Sequence, residues 1–272
     1  IFVFLIIVFF AGESLHREKS SGFSKIYDTF PVKDWILIAA KFLGITVMIL
    51  VLTTVPIVIG LVVQVIKGFY QFDIPIYLID SYLISFPEYL QVGLLVFGIH
   101  LLVNNKFAGH IAAFSVLVIN YIVSTSTDFN FNLFFYSYKP PYKWSGMNGI
   151  GHFLQAQVWF NLYWTCIGLF LLLFFSVFFS RGTEISWKSR WKVAKSRFNQ
   201  PLTNLSFLFL ALAILSGGYI FKSVVYDNDY LTVEEEKVRR VTYEQKLKAY
   251  EHIPQPKITK IKIKADLYPT QR

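Results

Sequence analysis

The feature that most constrains this chain is the run Ile36–Ile66, which carries one charged residue, Lys41, in thirty-one. As a helix it would rise roughly 45 Å at 1.5 Å per residue, more than the ~30 Å hydrocarbon core of a bilayer. Backbone groups in lipid must be satisfied within their own segment, so such a run is a helix. It must tilt, kink or project; Pro56 is the expected kink, and Lys41, one turn inside, is placed to snorkel back to the interface. Four further apolar runs follow, Tyr89–Val103, Phe107–Ser124, Val158–Ser180 and Leu202–Phe221, and a shorter one, Ile1–Ala11, precedes. Only 16% of the 272 residues are charged and 54% are hydrophobic, where a soluble domain carries about a quarter charged. The expected fold is all-α, a polytopic transmembrane bundle of about six spans. Ile1–Ala11 has no basic region before it and reads as the back half of a severed first span, not as a signal peptide.

Between the first two runs lies a polar stretch, Gly12–Trp35, around which the rest is organised. Orientation follows from the basic residues. Arg17, Lys19, Lys25 and Lys33 lie in this stretch. Alternating spans place Lys106, Arg181, Lys188, Arg190, Lys192, Lys195 and Arg197 on the same side, eleven in all. The opposite side holds Lys67, Lys139 and Lys143 before the last span. An excess of Lys and Arg marks the cytoplasmic face. The expected location is therefore a cytoplasmic membrane, multi-pass, with Gly12–Trp35 inside and the tail after Phe221 outside. The net charge of +9 is then a topology signal at the ends of apolar runs and not a nucleic-acid footprint.

Several connections carry their own signals. Lys67–Glu88, with Phe69, Tyr70, Phe72, Tyr77, Tyr82 and Phe86 and broken by Pro75 and Pro87, suits a headgroup belt or interfacial helix. Asn104, Asn105 and Lys106 make a tight hairpin flanked by His100 and His110. These two read either as a proton relay or as hydrogen-bonded histidines near the interface. Thr125–Gln157 is a long outer loop. Arg181–Pro201 interleaves basic residues with Trp187, Trp191 and Phe198, as an amphipathic interfacial helix does. Gly93, Gly98 and Gly217-Gly218 permit close helix approach. Cys166 lies in an apolar run and reads as packing; a single cysteine excludes an intrachain disulfide.

The tail changes character. Leu231–Glu251 is densely charged, and Thr232 with Glu235 forms a capping box, so a solvated helix is expected, stopped by Pro254 and Pro256. In KITKIKIKADLY, Ile261, Ile263, Ala265 and Leu267 alternate with Lys260, Lys262, Lys264 and Asp266, the pattern of a half-buried strand, which needs a sheet this chain does not contain. The expected division is a membrane domain over 1–224, an extracytoplasmic helical linker over 225–256, and over 257–272 the first strand of a domain cut off downstream.

The motifs exclude more than they assign. Gly146-Met147-Asn148-Gly149-Ile150-Gly151 follows no strand, and no Gly-Lys-Ser/Thr is present, so ATP binding in this chain is not expected. Its glycines serve tight folding of the loop, or an outer gate made with Trp144, Asn148, Gly149 and His152, or a contact with a downstream domain. The five histidines, His16, His100, His110, His152 and His252, contain no HExxH pair, so no zinc peptidase site is expected. No catalytic residue, metal or cofactor is assigned. No carboxylate falls inside the spans as drawn, which leaves ion-driven transport without its coupling group.

Within the organising stretch come an acidic-basic cluster (Glu13, Arg17, Glu18, Lys19), then Ser21-Gly22, a hydrophobic segment Phe23–Phe30, and Pro31-Val32; Lys41 follows early in the next span. This arrangement resembles the type-2 ABC exporter permeases. The resemblance implies that Ser20–Thr29 is a coupling helix seated in a groove of a separate cytoplasmic ATP-binding subunit. Contacts would come from Glu13, Arg17, Glu18, Ser21, Gly22, Phe23, Ile26 and Phe30. It also implies a second permease half or upstream spans as partner, besides the bilayer itself. A second likeness lies in Met147-Asn148-Gly149, Gly151-His152-Phe153, Trp159-Phe160 and Tyr163-Trp164, and in the tail from Tyr250-Glu251 to Asp266-Leu267-Tyr268-Pro269. It is similar to bacterial inner-membrane proteins that join such a permease to an extracytoplasmic HExxH zinc aminopeptidase. Two functions stay open: the permease part of an ATP-driven exporter, and a membrane anchor for an extracytoplasmic metallopeptidase domain.

Overall fold

The computed structural model describes residues 2–27, 29–103, 105–126, 131–145, 147, 149–151, 153–179, 181, 186–198, 201–227, 230–254 and 257–264. The helices are α1 Phe2–Ser20, α2 Ser24–Tyr27, α3 Asp34–Ile66, α4 Ile74–Leu78, α5 Phe86–Val103, α6 Lys106–Ser126, α7 Phe153–Ser176, α8 Trp187–Arg197, α9 Pro201–Lys222 and α10 Val233–Leu247. Among the described residues, five helices are long and apolar enough to cross a membrane: Asp34–Ile66, Ile74–Val103, Lys106–Thr125, Phe153–Ser176 and Pro201–Asp227. The protein is a polytopic helical bundle. α1 is not among the five, because its second half carries Glu13, Arg17, Glu18 and Lys19.

The bundle is built around α5. Every residue from Gln91 to Leu101 is buried, and α5 packs on α1, α3, α6 and α7, while α7 also packs on α9. A helix that is apolar all round has no solvent face to preserve, so it takes the centre. α3 and α6 stay at the rim with rows of exposed apolar side chains, among them Leu43, Val47, Val51 and Val58 on α3 and Phe107, Ile111 and Phe114 on α6. In water such faces would be a liability; in a bilayer they meet lipid.

Glycine sets the inter-helix distances. A Cβ at Gly98 would lie 3.0 Å from Phe175 Cδ2 and 3.7 Å from the Leu172 Cα, so α5 and α7 approach backbone to side chain. A Cβ at Gly217 would lie 2.8 Å from Tyr163 Cε2, whereas one at Gly218 would meet nothing within 4 Å. Of the paired glycines, only the first is a packing residue.

Three expectations are corrected. Lys67–Glu88 is not a separate interfacial element: from Ile74 onward it is the first part of a helix that runs to Val103. Pro75 sits in the first turn of α4, where its missing N–H is no loss. Pro87 follows a π-helical segment, Ile79–Ser85, in which Phe86 N–H reaches Ser81 O; Leu83 O, four residues before the proline and without its N–H, receives Asn161 Nδ2 at 3.1 Å instead. This span therefore carries Asp80 and Glu88, against the expectation that the spans lack carboxylates. Within the polar stretch Gly12–Trp35, α1 continues to Ser20, so the connection proper is residues 21–33. In the tail, residues 257–264 form no strand, and Ile261 and Ile263 are exposed. A single strand has no ladder partner to satisfy its backbone. Ala265, Asp266 and Leu267 lie outside the described residues.

The chain divides into two compact units, Ile1–Tyr230 and Leu231–Arg272. In the second, α10 has no buried residues and starts with the expected capping box. Thr232 donates from its backbone N–H (2.9 Å) and its hydroxyl (2.8 Å) to Glu235, whose own N–H donates back at 3.3 Å.

Two outcomes follow. Gly217→Leu should lower the detergent-phase thermal stability by about 1–3 kcal/mol, the usual cost of overpacking, while Gly218→Leu leaves it near wild type. The Glu235 carboxyl is held below its usual value by the Thr232 backbone N–H and then by its hydroxyl. A depressed carboxyl stabilises the fold above its unfolded value of about 4.3 and loses that contribution as pH falls through the folded value. Amide exchange in the first turn of α10, corrected for intrinsic rates, should accelerate at acid pH, and Thr232→Ala should show the faster exchange already at pH 7.

Candidate functional site

Residues 21–33 link α1 to α3 through a sharp turn and the four-residue α2. The Ser20 and Ser21 hydroxyls donate to the Arg17 and Glu18 carbonyls at 2.9 and 3.3 Å, using up acceptors at the end of α1. Gly22 then turns at φ +73° with open space around it, a left-handed conformation that favours glycine. The expected hydrophobic helix over Phe23–Phe30 is shorter, Ser24–Tyr27. Phe23, Ile26 and Phe30 are 48%, 59% and 50% exposed. Arg17, Ser21 and Gly22 are exposed beside them.

The two remaining coupling candidates are engaged in ion pairs with other helices. Glu18 pairs with Lys41 of α3, whose ammonium also donates to Ser14 O at 2.7 Å. Glu13 pairs with Lys106 at the start of α6, and this bond holds its carboxyl below the usual range. Both glutamates tie α1 to its neighbours. Lys41 thus has its partners within the chain.

The far end of the connection is clamped by arginines. Asp34, in the first turn of α3, receives Arg181 Nε at 2.6 Å and Arg197 of α8 at 2.5 Å. Arg181 also donates to the carbonyls of Phe30, at 3.0 Å, and Val32. Arg190, on α8, is 3% exposed. It donates to Leu101 O (2.8 Å), Leu102 O (2.7 Å) and Phe178 O (3.0 and 3.2 Å). It thereby satisfies carbonyls where α5 and α7 end, and burial pulls its pKa down. Sequence reading placed α8 as an interfacial helix and missed this role; a lone Arg between Trp187 and Trp191 was the available signal.

At the opposite end of the bundle the long loop is bonded into the helices. Gln91 of α5 is fully buried. It receives Ser137 Oγ at 2.8 Å, and its amide reaches Asn161 O and Thr165 Oγ1, both at 3.2 Å. Tyr136 donates its hydroxyl to Gln91 O at 2.7 Å, and Trp164 Nε1 donates to Tyr138 O at 2.9 Å. Lys139 reaches Ile84 O at 2.8 Å and Glu88 at 3.3 Å. Burial lowers the Lys139 pKa, with Glu88 opposing that shift. Tyr142 bonds Asp80. Ser137 holds φ +60°, a conformation that persists in a non-glycine only when its surroundings enforce it. Of the residues expected to form an outer gate, Trp144, Asn148, Gly149 and His152, the structure describes Trp144 and Gly149. Gly149, at φ +57°, exchanges backbone bonds with Ser145 at 2.8 and 2.9 Å, and Trp144 packs over it. Asn148 and His152 lie outside the described residues. The residues that fasten the loop are Tyr136–Tyr142, which the density of tyrosine around Pro140-Pro141 could have indicated.

A third cluster brings His16, His100 and His110 together on α1, α5 and α6. Ring centroids lie 5.6 Å apart for His16–His100 and 4.9 Å for His100–His110. His100 is fully buried between the other two rings. Among the described residues no group of side chains is arranged to hold a metal ion.

Replacing Arg190 tests the clamp. Arg190→Ala should cost about 3 kcal/mol of stability by removing charge-assisted bonds to buried carbonyls. Arg190→Lys should recover only part, because an ammonium lacks the fork that spans two helix ends. Thermal unfolding in one detergent, compared across the two variants, measures both.

Residues 1–125 match the family model described as ABC-2 family transporter protein. No curated protein and no solved structure matches the chain. The matched region takes in α1, the connection, α3, α4, α5 and nearly all of α6, and it supports the reading of this bundle as the membrane component of an ABC-2 type permease.

Proposed function

We propose that the chain is the permease part of an ATP-driven exporter, moved from the cytoplasmic side by a separate ATP-binding subunit that grips residues 20–29. The observation that carries this reading is the exposure of Phe23, Ile26 and Phe30 on a connection fastened at both ends. Half-exposed aromatic and aliphatic side chains on a polar connector are what a partner's groove takes up. Displacement of the connection has two rigid outlets. One is α1, continuous with it and bonded to α3 and α6 through Glu18–Lys41 and Glu13–Lys106. The other is α3, reached through Asp34, Arg181 and Arg197. A helix shift of this kind converts a local push into a change between two packings of the bundle. The excess of basic residues on this side supports its cytoplasmic placement, and the loop over Tyr136–Tyr142 would be the opposite, outer gate. A second permease half completes the path in this scheme.

The test is copurification. Phe23→Asp and Ile26→Asp each place a charge in the proposed contact and should reduce recovery of a bound ATP-binding subunit about ten-fold or more, the loss of one interface anchor. Unchanged recovery with both variants would remove the coupling role. A second reading, a tether for an extracytoplasmic metallopeptidase domain, draws on the fully solvated α10. It predicts unchanged recovery together with loss of surface peptidase activity when the bundle is deleted.

A further inference from the structure

Between the start of α3, the end of α7 and the start of α9 lies a cavity of about 870 Å³. Its mouth is charged and its floor is not. Its described lining residues include three cations, Lys33, Arg181 and Arg197, and a single carboxylate, Asp34, which Arg181 and Arg197 already hold. Trp35, Ile38, Ser176 and Leu202 belong both to this cavity and to a second one of about 270 Å³, which continues along α3 past Phe42 to Thr46. Apart from the Ser176 and Thr46 hydroxyls, the lining of this second cavity is apolar. Both hydroxyls are already committed, Thr46 to Phe42 O at 3.0 Å and Ser176 to Leu173 O at 2.6 Å.

We propose that this continuous groove is a binding site for an anionic phospholipid of the cytoplasmic leaflet, its phosphate at Lys33, Arg181 and Arg197 and one acyl chain along Trp35–Thr46. Three cations against one carboxylate leave an excess of positive charge at a helix-lined mouth, the arrangement that recognises anionic headgroups. The length agrees. Trp35 to Thr46 is eleven residues of helix, about 16 Å at 1.5 Å per residue, close to half of the ~30 Å hydrocarbon core. A chain laid there runs from the headgroup level, where Trp35 sits as an interfacial tryptophan does, to the middle of the bilayer. Leu43 and Leu205 at the rim are 63% and 41% exposed, so a lipid enters sideways from the bilayer without parting the helices. The site takes a lipid whether or not an ATP-binding subunit grips the connection, so its test stands apart from the copurification experiment.

The chain, purified in detergent, is offered equal dioleoyl phosphatidylglycerol and dioleoyl phosphatidylcholine, and bound lipid is read by native mass spectrometry. Phosphatidylglycerol should be retained preferentially. Lys33→Gln should lower its retention about five-fold, the effect of one basic residue near an anionic headgroup. Ala39→Trp, at an exposed position on the second cavity's wall, should block the acyl track and abolish retention. Phosphatidylglycerol carrying a photoreactive mid-chain group should crosslink the unaltered protein on α3 before Thr46 or on α7 near Leu172. Equal retention of the two lipids overturns the proposal, as do crosslinks that fall elsewhere. Complete displacement by glycerol phosphate, which marks a soluble-phosphate site, also overturns it, as does a groove that a second copy of the chain covers.

Discussion

One constraint governs the end of the bundle that carries the α1–α3 connection: helix-terminal carbonyls and charged side chains brought together under low dielectric must find partners within the chain. Arg190 meets it most directly. Its guanidinium is spread over carbonyls of Leu101, Leu102 and Phe178, so the ends of α5 and α7 are held by one side chain on α8. Arg181 and Arg197 extend the same device to Asp34 and the carbonyls before it. A planar fork with several donors suits such sites where an ammonium does not. The connection between α1 and α3 is thus fixed at its α3 end by α8 and at its α1 end by Lys41 and Lys106.

With both ends fixed, the exposed part of the connection is short and presents three apolar side chains, Phe23, Ile26 and Phe30, and this carries the functional reading. The match of residues 1–125 to an ABC-2 transporter family concerns the part of the chain that contains this element. The remaining spans contribute differently. α7 supplies the wall against which α5 packs, with α9 behind it; its Asn161 and Thr165 receive the Gln91 amide, and its Trp164 donates to the long loop at Tyr138 O. A buried glutamine at the centre of the bundle is tolerable because its bonding capacity is met. It also makes the loop's position dependent on helix packing, since any shift of α5 against α7 would break those bonds.

Much of the architecture could be read directly. A run such as Ile36–Ile66 leaves no choice but a membrane helix, and Thr232 with Glu235 states where α10 begins. Glycines marked close packing, although the sequence could not tell Gly217, which faces Tyr163, from Gly218, which faces nothing. The start of the Ile74–Val103 helix was misjudged because prolines read as breaks; a π-helical segment precedes Pro87 and Asn161 takes up Leu83 O, and no periodicity in the sequence announces that. The strand expected near Ile261 failed for a related reason, since alternation states a preference and a sheet must supply the partner.

What the sequence determined by itself is the set of segments that enter lipid, because hydrocarbon admits only long apolar helices and that requirement is local. Which side chains meet was decided by tertiary structure alone. Glu13 and Glu18 look like surface charges in a connector, yet they pair with Lys106 and Lys41, 93 and 23 residues away. Arg190 looks like one basic residue among six, yet it closes two helix ends. Long-range pairing is set by how helices rotate and tilt to bury their small residues, and the one-dimensional pattern leaves that rotation open.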